Sequence, residues 1–213
     1  MSDKLVDKSC LAFGAALASD APVPGGGGAA ALAGALAAAL AVMAGRLTAA
    51  KPAFAPQAEE LHALVSQADA LRLALLALVD ADAEGFFPLS KAYALSKDTP
   101  GRREILRRAT LDACAAPLQM AERLGACTEL LEKLLTSCSR LLLSDVGCGA
   151  ALCAGALEAA AMNVFVNTRA LPEDGEAKTL ARKAGYLLDE YLPRARAVSA
   201  EVLTQLQKAE NHG

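Results

Sequence analysis

The chain predicts an all-α fold, a single-domain antiparallel helical bundle over residues 1–213, on three observations. Hydrophobic residues make up 54% of the sequence, yet aromatics account for only 4% and Trp is absent. Strands favour aromatic and β-branched side chains, whereas the Ala and Leu that dominate here are strong helix formers. Apolar residues recur at spacings of three and four along most of the chain, and no stretch alternates with period two over any useful length. No fixed-period repeat, biased tail or linker divides the sequence, and a chain of this length buries roughly 70–75% of its unfolded surface as one domain.

Val6, Cys10, Phe13 and Leu17 recur at helical spacing, so the chain opens with an amphipathic helix ending near Ser19 and Asp20. Pro22-Val-Pro24 and the glycines Gly25, Gly26, Gly27 and Gly28 read as a loop. A second helix runs from about Ala29 to Thr48, with small side chains that permit close approach of its neighbours. Its first 17 residues, Ala29 to Gly45, are uncharged. That length is at the short limit for a membrane span, and Ala and Gly outnumber Leu and Ile, which favours a tightly packed soluble helix. Pro52 and Pro56 mark the next break. Leu61, Leu64, Val65, Ala68, Leu71, Leu75 and Leu78 trace one stripe over about five turns. Asp80 and Asp82 follow, and Asp82 opens a helical stretch reaching Lys97, ahead of a turn at Asp98 to Gly101. From Arg102 to Leu143 the pattern stays helical, interrupted around Pro117. Ser144 and Asp145 read as the N-cap of a helix reaching Asn167. Pro172 to Gly175 is a turn, and a final helix, bent at Pro193, runs to about Lys208.

A formal net charge of −3 argues against a nucleic-acid footprint, which would be basic. The one local exception is Arg102, Arg103, Arg107 and Arg108, either a solvated helix face with Glu104 and Arg108 paired four apart or a site for an acidic substrate tail. The six cysteines form no CxxC pair, and His62 and His212 are the only histidines. No metal site is expected, and the cysteines read as small buried hydrophobes in a reducing cytosol. The charged first eight residues do not suit a signal peptide, so the expected location is cytoplasmic.

The glycine run lets a backbone approach a ligand closely and leads into a helix N-terminus, which favours anionic or strongly accepting groups. It is neither a dinucleotide fingerprint nor a phosphate loop, since no strand precedes it and no Gly-Lys-Ser/Thr follows, so no nucleotide is expected. Read alone, it is equally a flexible hinge. Asp82 and Asp80 are helix caps or, in the case of Asp82, a proton-transfer carboxylate or an acceptor that clamps an amidine-like ring edge. Asn163 and Asn167 stand four apart on an otherwise apolar face and require partners if buried, from another helix or from a ligand. Lys51 and Lys97 read as surface lysines, and His62 lies on the polar side of its helix.

Taken in order, these pieces resemble the cyclodeaminase/cyclohydrolase family of folate enzymes. The resemblance rests on Ser19 through Leu36 with its Pro-Val-Pro-Gly-Gly-Gly-Gly core, and on Met43 to Lys51. It continues through Asp82-Ala-Glu-Gly-Phe86 with Lys91 and Tyr93, then Ser144-Asp145 and Asn163-Val-Phe-Val-Asn167. Two positions depart from the family pattern: Gly28, where Ser or Ala often follows three glycines, and Ser96, where Pro precedes Lys97. The resemblance implies an all-helical homodimer or larger assembly that takes a tetrahydrofolate derivative as substrate, without metal or nucleotide. It implies either cyclodeamination of 5-formiminotetrahydrofolate or hydrolysis of 5,10-methenyltetrahydrofolate. On that reading Asp82 transfers the proton or stabilises the amidinium-like cation, and Lys51 and Asp145 set its protonation. The segment from Pro24 to Gly28 presents the backbone N–H groups of its glycines, Ser144 lies in the site, and Asn163 and Asn167 orient the folate. The competing readings are a catalytically silent folate binder and a helical scaffold whose Ala-rich faces serve oligomerisation.

Overall fold

Residues 4–209 are described in a computed structural model of the chain; Met1 to Asp3 and the last four residues, His212 among them, lie outside the described residues. Seven helices form, and no strand occurs among the described residues: α1 (Cys10–Leu17), α2 (Gly26–Ala49), α3 (Ala58–Tyr93), α4 (Arg102–Asp112), α5 (Ala115–Ser137), α6 (Leu143–Thr168) and α7 (Gly175–Ala209).

Several boundaries differ from those read in the sequence. The first helix starts at Cys10 because Ser9 caps it, its hydroxyl accepting from the Ala12 N–H at 3.1 Å, while Val6 lies in a separate 3-10 turn. Three of the four glycines belong to the first turn of α2 rather than to a loop. The third helix runs unbroken from Ala58 to Tyr93, so Asp82 lies in its interior and opens nothing. The break placed at Pro117 falls instead at Ala113 and Cys114. Pro117 is the third residue of α5, where the N–H it lacks has no intrahelical acceptor. Ser144 is not a cap: α6 begins at Leu143, with Ser144 and Asp145 in its first turn.

Close packing around α2 organises the bundle. A Cβ on Gly45 would strike Val65, one on Gly34 would strike Leu124 beside Leu75, and Gly27 lies against Asp82. The residue numbers rise along α2 as they fall along α3, so the two helices are antiparallel. Gly149 of α6 rests on the Ala37 carbonyl and the Leu40 Cβ, and Gly26 faces Asn163, which makes α6 antiparallel to α2 as well. The core is Ala, Leu and Val, with Leu61, Leu75, Leu124, Leu131 and Leu157 among its fully buried side chains. Four cysteines join it, whereas Cys10 and Cys148 are exposed, contrary to the expectation that all six are buried.

Arg194 of α7 pins α5 by a two-pronged pair to Glu132 (2.7 and 2.9 Å) and stacks over Tyr191 at 4.9 Å. Length and composition alone would let three segments cross a membrane: Gly26–Ala49, Pro52–Tyr93 and Arg140–Thr168.

Candidate functional site

The site forms where the start of α2, the middle of α3 and the end of α6 meet. The first four N–H groups of any α-helix lack an intrahelical acceptor, and Gly25 has no side chain with which to cap α2. Asp82, reaching across from α3, takes that place by accepting a hydrogen bond from the Gly28 N–H. The cap anticipated at Asp82 is therefore real but serves a different helix. Approach this close requires glycine: a Cβ on Gly27 would fall inside the Asp82 carboxyl group. Backbone conformation is not the reason, since Gly101 is the only described residue with positive φ.

Asp82 is half-buried, and burial pushes its carboxyl above the ordinary carboxylate range, with the Gly28 N–H pulling the other way. Desolvation is the larger effect because the hydrogen bond offsets only part of the cost of removing the carboxylate from water. Pro24 is buried beneath the turn, and its preceding peptide bond is cis. Asp80, one turn-fraction away on α3, is occupied differently and accepts from the Leu5 N–H at 2.6 Å.

Asn163 faces Gly26, its Nδ2 3.5 Å from where a Cβ would stand, and donates to the Ala159 carbonyl at 2.8 Å. Asn167, one turn on, donates to the Ala113 carbonyl at 3.4 Å and lies beside the Cys114 thiol, which burial pushes up to about 11. Both readings of the two amides are thus partly met: each has a protein partner, and Asn163 borders the glycine turn. Cys114, with its neighbour Ala113 at the kink between α4 and α5, went unnoticed in the sequence, where no periodicity marks a helix break without Pro or Gly.

Lys51, Asp145 and Ser144 are not in this cluster. Gly27 lies in the first turn of α2 and Lys51 follows its last turn, so the helix holds them about 35 Å apart at 1.5 Å per residue. Neither Lys51 nor Asp145 contributes to the Asp82 shift. The expectation that they set Asp82 protonation is corrected, within one chain, by the length of α2. Lys51 and Asp145 act in a second polar cluster instead. The Lys51 Nζ lies 2.6 Å from the hydroxyl of buried Ser139, whose N–H donates to Thr48 at 3.0 Å. Cys138 beside it is pushed up to about 11, first by burial and then by the charge of Asp145, with Lys51 opposing.

The arginine cluster divides. Arg107 is tied to Asp174, Glu104 and Glu176, and Arg108 to Asp112; the face is paired as in the solvated reading, but Glu104 meets Arg107 rather than Arg108. Arg102 donates to the Leu95 carbonyl, and with Arg103 and exposed Lys97 it borders a groove of about 930 Å³ between the α3–α4 and α6–α7 connections. Among the described residues no group of three or more His, Cys, Asp or Glu is arranged to hold a metal ion.

Residues 9–185 match the model of the formiminotransferase-cyclodeaminase family. The chain is 32% identical over 178 residues to the methenyltetrahydrofolate cyclohydrolase of Methylorubrum extorquens, covering 82% of this chain and 86% of that protein. It is 30% identical over 207 residues to the formimidoyltransferase-cyclodeaminase of Rattus norvegicus, where the match covers 95% of this chain but 38% of the relative. The fold is similar to the crystal structure of formiminotetrahydrofolate cyclodeaminase from Thermotoga maritima, with a TM-score of 0.81, 27% identity and coverage of 97% of this chain and 99% of that one.

Proposed function

Because this chain belongs to the formiminotransferase-cyclodeaminase family, we propose that it is a cytoplasmic enzyme acting on the one-carbon unit that joins N5 and N10 of a reduced folate. The observation that carries this reading is Asp82, a half-buried carboxyl with a raised pKa held at the glycine turn of α2. Either reaction of the family's named members requires one group that both takes and returns a proton. In cyclodeamination, N10 attacks the carbon of the protonated formimino group (–CH=NH₂⁺) and loses its proton; the departing nitrogen gains that proton and leaves as ammonia, and the positive charge stays on the methenyl bridge. In hydrolysis, water adds to the methenyl carbon and gives up both its protons, one to N5 and one to solvent, as the C–N5 bond opens to the 10-formyl product. A carboxyl whose pKa burial raises is a better proton donor than a solvated carboxylate group and still accepts a proton when ionised, and positioned acid–base groups typically contribute on the order of 10²–10⁴-fold. Its anionic form also faces the amidinium-like cation common to both paths.

Gly26 and Gly27 keep N–H groups at the start of α2 that suit carbonyl or carboxylate acceptors of the folate. Asn163 and Asn167 supply amide dipoles on the opposite wall. The test follows the methenyl chromophore with each substrate in turn. Its appearance from 5-formiminotetrahydrofolate with release of ammonia identifies a cyclodeaminase, and faster loss from 5,10-methenyltetrahydrofolate identifies a cyclohydrolase. Thermal stabilisation by either compound with no spectral change would instead indicate a silent folate binder, and neither effect would leave only the scaffold reading.

A further inference from the structure

Cys114 lies fully buried at the kink between α4 and α5, and what it touches decides which atom of Asn167 faces the site. The kink closes a ring of contacts around that site. Gly27 lies against Asp82, and a Cβ on Gly85, one turn further along α3, would stand 3.9 Å from the Ala113 Cα. Ala113 accepts from Asn167, and Asn163 faces Gly26. Within the ring the Asn167 amide has one orientation. Its Nδ2 donates to the Ala113 carbonyl at 3.4 Å; turned over, the amide would set its own oxygen against that carbonyl. Asn167 also hydrogen-bonds Cys114 and holds its thiol down against the upward push of burial, as a donor to sulfur does. The thiol proton points at the Thr110 carbonyl at 3.4 Å, so the sulfur offers Asn167 a lone pair. The amide nitrogen is thus engaged by a carbonyl and a sulfur, and Oδ1 is left for the site. Asn163 repeats the pattern one turn earlier, its Nδ2 donating to the Ala159 carbonyl of its own helix.

We propose that Asn167 is a specificity residue that accepts a hydrogen bond from the 2-amino group of the pterin, and that Cys114 is the positioning residue that turns its oxygen inward. The proposal rests on the folate reading above and deepens it by naming the edge of the substrate that is read. The walls of the site differ in polarity. The α3 and α6 walls present oxygens, from Asp82, Asn163 and Asn167, whereas the start of α2 presents N–H groups. A reduced pterin is polar in the matching sense, with a carbonyl oxygen at carbon 4 and N–H donors at N3 and the 2-amino group. With its reacting N5 at Asp82, the pyrimidine ring extends toward α6, where Asn167 stands one turn, about 6 Å, beyond Asn163. A ligand with oxygen in place of the 2-amino group would set two acceptors together at a half-buried wall. A mismatch of that kind is worth about 10- to 100-fold in affinity.

Two probes separate the possibilities: 6-methyltetrahydropterin carries an amino group at carbon 2, and 6-methyltetrahydrolumazine carries an oxygen there. Anaerobic titration calorimetry gives a dissociation constant for each. The wild type should prefer the amino compound about 10- to 100-fold. Asn167→Leu should bring the ratio close to unity, and Cys114→Ala should lower it. Cys114→Ser should restore it, because a hydroxyl again donates to Thr110 and accepts from Asn167. The ratio is read within one protein, so a general loss of stability leaves it in place, and circular dichroism confirms that each variant is folded. A wild type that binds both compounds equally overturns the proposal, as does an Asn167→Leu variant that keeps the preference. A Cys114→Ala variant with the wild-type ratio overturns the positioning role. Should Asn167→Leu not fold, crystals of the wild type with 6-methyltetrahydropterin decide. The 2-amino nitrogen within about 3.2 Å of the Asn167 Oδ1 supports the assignment, and any other ligand atom in that place overturns it. A wild type that turns over either folate but shows no preference refutes this inference alone. One that is inert toward both folates and binds neither probe refutes the folate reading with it.

Discussion

Gly27 is excluded from carrying a side chain by another residue's side chain, whereas Gly28 beside it is not. A methyl on Gly28 would meet the Pro24 Cβ at 3.4 Å and the Val79 carbonyl at 3.8 Å, which is ordinary contact. Gly28→Ala should therefore fold and turn over nearly as the wild type, which also accounts for a family pattern that accepts Ser or Ala there. Gly27→Ala must displace the Asp82 carboxyl; steady-state kinetics should show a loss of at least tenfold in kcat, with kcat unaffected in Gly28→Ala. Asp82→Asn keeps an acceptor for the Gly28 N–H, so the fold should survive while kcat falls by roughly 10²–10⁴-fold. The sign of its stability effect follows from the raised pKa. A carboxyl whose folded pKa exceeds its unfolded value of about 3.9 binds its proton more tightly in the native state, so the wild type loses stability as pH rises through that interval. Asp82→Asn has no such loss. Its melting temperature relative to wild type should climb with pH from about 4 upward and level off above the folded pKa; a difference that shrinks with rising pH would contradict the burial argument.

At the scale of elements, composition and period were sufficient to identify helices, because Leu61 through Leu78 can face one core only if the chain is helical. What they could not supply was continuity. Asp80 and Asp82 suggested a new start, yet α3 continues through them because each carboxylate is satisfied from outside the helix, Asp80 by the Leu5 N–H and Asp82 by the Gly28 N–H. A cap is normally sought in the four residues before a helix, and a cap lent across the bundle leaves no local signature. The break at Ala113 and Cys114 was equally invisible, lacking Pro or Gly. Side-chain pins between elements are illegible for the same reason: the tie of Arg194 to Glu132 spans 62 residues. Both partners are about one-third exposed, so solvent screening limits the gain to about 1 kcal/mol. Arg194→Met should lower the melting temperature by about 2–4 °C in a chain of this size and leave turnover unchanged. A larger drop would mean that stacking on Tyr191 contributes more than the ion pair.

At the scale of the whole molecule, Asp82, the glycine turn, Asn163 and Asn167 were visible in the sequence as candidates, Cys114 was not, and neither was their grouping. Asp82, Lys51 and Asp145 were assembled into one constellation, and a single helix of about 36 Å separates them into two. Spacing along the chain fixes where a residue stands on its own helix but not which ends of two helices meet, so this was the part that sequence could not resolve. The apolar face of α2, where Leu36, Met43 and Leu47 are exposed, makes a thermodynamic prediction. If that face is buried in the homodimer that the family resemblance implies, unfolding releases two chains, and the melting temperature must rise with protein concentration. If the folate lies at the junction of α2, α3 and α6, ligand at about 100 times its dissociation constant stabilises by about 2.7 kcal/mol, which corresponds to about 5–11 °C here. The two effects separate in one experiment. Calorimetry of Leu36→Glu with Met43→Glu should show a melting temperature independent of concentration, and Asp82→Asn should keep both the concentration dependence and most of the ligand shift, since it binds substrate without consuming it. A folate shift abolished by Asp82→Asn would make that carboxyl a binding group first, and a concentration dependence that persists in the double glutamate variant would move the interface to another face of the bundle.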